Sequence, residues 1–110
     1  MTERVIPILR VEDADRAVRW YERLGFEKTG EHRFEPGLPA FVTVDRGAIQ
    51  LFLSEHEGDA RPDTLVYMFV GDVDAIAHEF GVEPETAPWA REIELRDSDG
   101  NRLRIGTAPG

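Results

Sequence analysis

Pro88-Trp89-Ala90-Arg91-Glu92, running into Ile93-Glu94-Leu95-Arg96-Asp97-Ser98-Asp99-Gly100-Asn101-Arg102-Leu103-Arg104-Ile105, reads as strand, turn, strand. Alternation puts Ile93, Leu95, Leu103 and Ile105 on one face and Glu92, Glu94, Arg102 and Arg104 on the other, while Asp99-Gly100-Asn101 supplies turn chemistry. If Asp97 to Asn101 form the loop, Leu95 falls opposite Leu103 and Glu94 opposite Arg104, so both faces stay in phase. A two-residue turn at Asp99-Gly100 would break that phase.

Upstream of this hairpin, Leu65 to Val70 reads as a strand. Asp72 then caps a helix with Val73, Ile76, Ala77 and Phe80 at helical spacing before Gly81, and a short strand is expected about Glu83 to Thr86. The same order occurs earlier. Val5 to Val11 is an apolar run whose Pro7 cannot donate to a ladder, so this strand belongs at an edge, a crossover or a bulge. Asp13 caps a helix through Ala14, Ala17, Val18, Tyr21 and Leu24, ended by Gly25, and the chain is extended from Phe26. Phe41 to Asp45 and Ala48 to Leu53 form a hairpin about Arg46-Gly47, with Val42, Val44, Ile49, Leu51 and Leu53 toward the helix and Phe41, Thr43, Gln50 and Phe52 away from it.

Val11, Asp13, Asp15 and Tyr21 match Val70, Asp72, Asp74 and Phe80 at a constant offset of 59 residues. The polar stretch Glu55 to Asp63 divides the halves. The expectation is an α+β fold of two tandem βαβββ modules in a curved mixed sheet with the helices on its outer face, residues 1–110 being a single domain with repeats at 1–58 and 62–110.

Composition narrows the chemistry. The chain has no cysteine and three histidines, which excludes disulfides and thiol nucleophiles and leaves only His and carboxylates as metal ligands. A formal net charge of −9 opposes nucleic acid and anionic membranes, and it either serves solubility alone or favours cationic partners. The longest apolar run, Leu65 to Val70, is far below the roughly 20 residues of a membrane helix, and Met1-Thr2-Glu3-Arg4 lacks signal-peptide character, so a cytoplasmic location is expected. His32 and His56 are expected in loops and His78 on the wet face of the second helix, none of them as ligands.

The tandem repeat, Tyr21-Glu22-Arg23-Leu24-Gly25-Phe26 at the end of the first helix and Asp97-Ser98-Asp99-Gly100-Asn101 near the end of the chain resemble the vicinal oxygen chelate superfamily. Pro88-Trp89-Ala90-Arg91-Glu92, Asp63-Thr64-Leu65-Val66-Tyr67 and Ile6-Pro7-Ile8-Leu9 are similar to the bleomycin-resistance branch, whose members bind and sequester a drug without altering it. The resemblance implies a homodimer with two clefts between curved sheets, able to exchange its first strand about Pro7. It also places the superfamily's metal-ligand positions at Ile6, Gln50, Leu65 and Arg104, two hydrocarbons, one amide and one cation, so no metal and no cofactor is expected.

By the same resemblance Trp89 occupies a ligand-gripping position and Tyr67 that of another aromatic residue. Phe69, Phe41 and Phe52 share their face by parity, as cleft lining or as dimer packing, and Phe34, counted with the ligand-binding residues, lies in the stretch Gly30 to Pro39, a loop suited to overhang a site or an ordinary connection. Glu92 and Glu94 suit a cationic ligand, Glu94 having Arg104 as an alternative partner, and Trp20 is assigned to the core or a dimer contact. The expected function is sequestration of a cationic, partly aromatic antibiotic of the bleomycin type. The alternatives are binding of another small molecule, favoured by the short segment before Trp89, and a metal-dependent lyase or dioxygenase.

Overall fold

The computed structural model describes residues 2–110, so Met1 of the first repeat lies outside the described residues. Both helices begin and end by the same chemistry. The Asp13 carboxylate accepts from the amides of Asp15 and Arg16 to start α1 (Ala14–Arg23), and the Asp72 carboxylate accepts from the amide of Ala75 to start α2 (Val73–Phe80). At the far ends Gly25 (φ +90°) and Gly81 (φ +66°) turn the chain left-handed, so that Phe26 N donates to Tyr21 O and Val82 N to Ala77 O, each at 3.0 Å.

Around them run β1 (Ile8–Arg10), β2 (Glu27–His32), β3 (Phe41–Arg46) and β4 (Ile49–Ser54), then β5 (Leu65–Phe69), β6 (Glu85–Thr86), β7 (Arg91–Arg96) and β8 (Arg102–Thr107). Two tandem βαβββ modules result, each with its own four-stranded mixed sheet, ordered β1-β4-β3-β2 and β5-β8-β7-β6. The sole parallel pair in each is the outer strand beside the last one, β1 with β4 and β5 with β8. Each helix covers one face of its sheet. Under α1 lie Leu9, Val42, Val44, Leu51 and Leu53; under α2 lie Met68, Ile93, Leu95, Leu103 and Ile105, all buried. At about 25 cal/mol per Å² of apolar area buried, these two layers are the main stabilising term. No helix among the described residues is long and apolar enough to cross a membrane.

The loop Asp97–Asn101 closes the β7–β8 hairpin in the expected phase, with Leu95 opposite Leu103 and Glu94 opposite Arg104. It also fastens the modules together. Asp97 is buried and accepts from four donors: the Asp99 and Asn101 amides (2.8 and 2.9 Å), Asn101 Nδ2 (3.0 Å) and, from the other module, the Tyr21 hydroxyl (2.7 Å). Asn101 Nδ2 donates on to the Arg10 carbonyl at 2.9 Å, and Asp99 accepts from the Glu12 amide at 2.9 Å and from Arg16 at 3.2 Å. Burial raises the Tyr21 hydroxyl well above its ordinary pKa, and the charge of Asp97 raises it further. Trp20 adds a second join, partly buried against the core with its ring 5.3 Å from that of Phe80 on α2.

Four boundaries differ from the sequence expectation. The first strand is confined to Ile8–Arg10, because the segment through Pro7 leaves the ladder after Pro7 O accepts from Phe52 N at 3.0 Å. β5 ends at Phe69, before Val70. The first hairpin turns at Gly47-Ala48 and not Arg46-Gly47, since Arg46 pairs with Ile49. β2 runs through His32, paired with Phe41, so that histidine stands in a strand and not in a loop, while His56 lies in a loop and His78 on the exposed side of α2. The short strand after α2 is present, as the two residues of β6.

Candidate ligand-binding site

The sheet faces turned away from the helices carry the unusual side chains. On the second sheet, register sets them in rows: Tyr67, Arg104 and Glu94 side by side, and next to them Phe69, Gly106, Glu92 and Glu85. Tyr67 and Phe69 touch, with ring centroids 5.0 Å apart. Trp89, just before β7, is 58% exposed and Phe69 56%, large for aromatic groups and a patch that nothing among the described residues covers.

Three of these residues converge. One oxygen of Glu92, Oε2, accepts from the Tyr67 hydroxyl at 2.8 Å and from the Trp89 indole N–H at 3.0 Å. The second carboxylate oxygen accepts from neither ring. Partial desolvation raises the Tyr67 hydroxyl above its ordinary pKa, and the hydrogen bond to Glu92 and its charge add to the rise. Glu92 also lines a cleft of about 340 Å³ together with Glu83, Glu85 and Glu94, where Arg104 is the only basic lining residue.

Glu94 has the alternative partner foreseen for it, and one more. It accepts from Arg102 Nε and Nη2, both at 3.2 Å, and from Arg104 Nη2 at 3.1 Å. The hydrogen bonds from Arg102 and then Arg104 hold its carboxyl below the usual range. Its charge is therefore matched within the fold, whereas Glu92 makes no ion pair among the described residues.

The first sheet carries Phe41 and Phe52, ring centroids 5.0 Å apart, on the face expected from parity. Phe34 stands apart from all of these in the loop after β2, 75% exposed and edge-on to His32 at 4.6 Å. The fold thus brings Trp89, Tyr67, Phe69, Glu92 and Glu94 onto one sheet face, leaves Phe41 and Phe52 as a pair on the other sheet, and joins Phe34 to neither.

The superfamily's metal does not fit these residues. Arg104, the carried-over metal position, pairs with Tyr67, and Arg102, two residues before it on the same face, pairs with Leu65. A guanidinium stands at either position and repels a divalent ion. Gln50 donates through Nε2 to Asp45 at 2.8 Å, which fixes its amide orientation, and its Oε1 is buried with no partner among the described residues. Among the described residues no three His, Asp or Glu side chains are grouped to hold a metal ion.

A family model described as "Glyoxalase superfamily protein" matches residues 1–108. The chain belongs to the glyoxalase superfamily. This glyoxalase-superfamily chain is similar in fold to a bleomycin-binding protein solved in complex with bleomycin, with 22% identity over 98% of this chain and 100% of that one and a TM-score of 0.73. It is similar as well to TnmS3, an antibiotic-binding protein from Streptomyces sp. CB03234 (18% identity, 99% of each chain, TM-score 0.75). A third similar structure is a member of the glyoxalase/bleomycin resistance protein/dioxygenase superfamily from Sphaerobacter thermophilus DSM 20745 (24% identity, 96% of this chain and 98% of that one, TM-score 0.75). No curated protein matches the chain.

Two groups of residues at the site were not singled out from sequence. Glu83 and Glu85 fall in a segment too short to show a period. Gly106 lies one residue past the alternating run, where the parity of Arg102 and Arg104 extends to it and would have placed it on the open face.

Proposed function

We propose that this protein is a metal-free binding protein that sequesters a cationic, partly aromatic antibiotic of the bleomycin type. The observation that carries the reading is the convergence of the Trp89 indole and the Tyr67 hydroxyl on one oxygen of Glu92, on an exposed aromatic face. The two donors fix the carboxylate and leave its second oxygen to a ligand cation, while Trp89, Tyr67 and Phe69 offer rings to a planar ligand segment. Stacking contributes about 0.5–1.5 kcal/mol beyond burial, and a cation over a ring a similar amount. The net charge of −9 draws a cation toward the site. The antibiotic-binding proteins of the same fold support this reading, as does the donor chemistry at the superfamily's metal positions, which suits neither a lyase nor a dioxygenase.

The protein acts in the cytoplasm as a homodimer, in which the bare sheet faces of two copies border the clefts. Phe41, Phe52 and Phe34 complete a cleft only from the other copy or stay in its packing. Residues 2–6, outside any strand with Val5 93% exposed, support exchange about Pro7. One observation favours a smaller ligand in the same site: β6 has only two residues, so little chain walls the cleft on that side.

A thermal-shift screen against cationic antibiotics tests the proposal, since a ligand that binds only the folded state raises the melting temperature. A dose-dependent rise with a bleomycin-type glycopeptide is expected. A rise only with small uncharged aromatics would favour the second ligand class.

A further inference from the structure

Tyr67 and Glu92 are not on neighbouring strands. Tyr67 is on β5 and Glu92 on β7, with β8 between them, so their side chains meet across two strand spacings of about 4.8 Å each. The residue of β8 beneath the meeting point is Gly106, paired with Phe69 on one side and with Glu92 on the other. A Cβ built on Gly106 would overlap the Tyr67 hydroxyl oxygen, and would come within 3.3 Å of Tyr67 Cζ and 3.0 Å of the Ala90 Cβ. Gly106 has no positive φ to explain it: the six glycines of that kind are Gly25, Gly37, Gly47, Gly58, Gly81 and Gly100. Its missing side chain is therefore used for space and not for backbone freedom.

We infer that Gly106 is a positioning residue of the ligand site: by carrying no side chain it leaves a lane across β8 along which Tyr67 reaches Glu92. With any side chain at 106, the Tyr67 ring must lift from the sheet. Glu92 would then keep only Trp89 as its donor, and the phenol would stand in the space offered to the ligand. Tyr67 and Glu92 are read here as ligand-binding under the proposed function, but the lane itself is a matter of geometry and is measurable with no ligand present.

The test is the phenol titration, followed by ultraviolet absorbance, in the parent and in Gly106→Ala. Tyr67→Phe identifies the Tyr67 step against the buried Tyr21. The parent Tyr67 is expected to titrate above an ordinary phenol, and Gly106→Ala to move that step down toward the ordinary value with the circular dichroism spectrum unchanged. An unshifted step in a folded Gly106→Ala protein overturns the inference. Should Gly106→Ala fail to fold, the Gly106→Ala/Tyr67→Ala double variant decides: recovery of folding shows that the clash was with Tyr67, and continued failure overturns the inference by assigning it to Ala90 or the backbone. Ligand binding is a separate readout, so a parent that binds no antibiotic defeats the proposed function and leaves this result standing.

Discussion

Glu92 is the centre of the proposed site, because two side chains from different elements donate to a single one of its oxygens. Trp89 is more than half exposed, so it contributes little to the core. Trp89→Ala is expected to weaken ligand binding by about 1–3 kcal/mol while leaving the unfolding midpoint in denaturant nearly unchanged. A fully buried tryptophan would instead cost about 3–5 kcal/mol of stability on truncation, so chemical denaturation separates the two roles. Glu92→Gln keeps the shape and removes the charge. Its binding loss should be large at low salt and shrink as salt rises, because screening already weakens the parent's attraction for a cation. Part of this geometry was legible in sequence: the family resemblance singled out Trp89, Glu92 and Tyr67, and alternation put Glu92 and Glu94 on one hairpin face with Arg102 and Arg104. The double pairing of Glu94 and the part played by Gly106 were not. Both depend on diagonal reach across strands, which pairing parity alone does not give.

Among the elements, the β7–β8 loop does more than turn the chain. Its Asp97 is buried and tied to the Tyr21 hydroxyl of α1, joining one module to the other. Tyr21→Phe removes that donor and leaves Asp97 short of a partner, at an expected cost of about 1.5–3 kcal/mol in denaturant unfolding. The pH dependence follows from the raised pKa. Unfolded, Tyr21 loses its proton near pH 10, while folded it keeps it to higher pH, so the stabilisation is full below about pH 10 and is lost as pH rises toward the folded value. The parent should therefore lose stability steeply in alkali, and Tyr21→Phe should flatten that fall. A parallel decline in both proteins would show that another group is responsible. The loop was readable because an odd-length loop centred on Asp99 keeps both faces in phase, whereas a two-residue turn at Asp99-Gly100 would not. Its docking onto α1 was not, since a contact 76 residues away in sequence leaves no local pattern. The first strand came out shorter than its apolar run because burial of Leu9 and Val11 needs only the end of it, and Pro7 interrupts the ladder before that.

For the whole molecule, the repeat was visible as a 59-residue offset because each module must place the same helix cap and the same apolar face. Whether a second copy covers the two open faces was not legible, since the sequence of one chain carries no record of its assembly. A homodimer is expected, and light scattering at micromolar concentration should give twice the 12.5 kDa chain mass. A monodisperse particle of one chain mass would remove the dimeric cleft. Metal analysis of protein purified without chelator should find no stoichiometric zinc, nickel or iron. The most direct test of the binding site is isothermal titration calorimetry of a bleomycin-type glycopeptide into the parent and into Trp89→Ala. The account predicts saturable binding by the parent, markedly weakened in Trp89→Ala; equal affinity in the two proteins, or no heat with the parent, would contradict it.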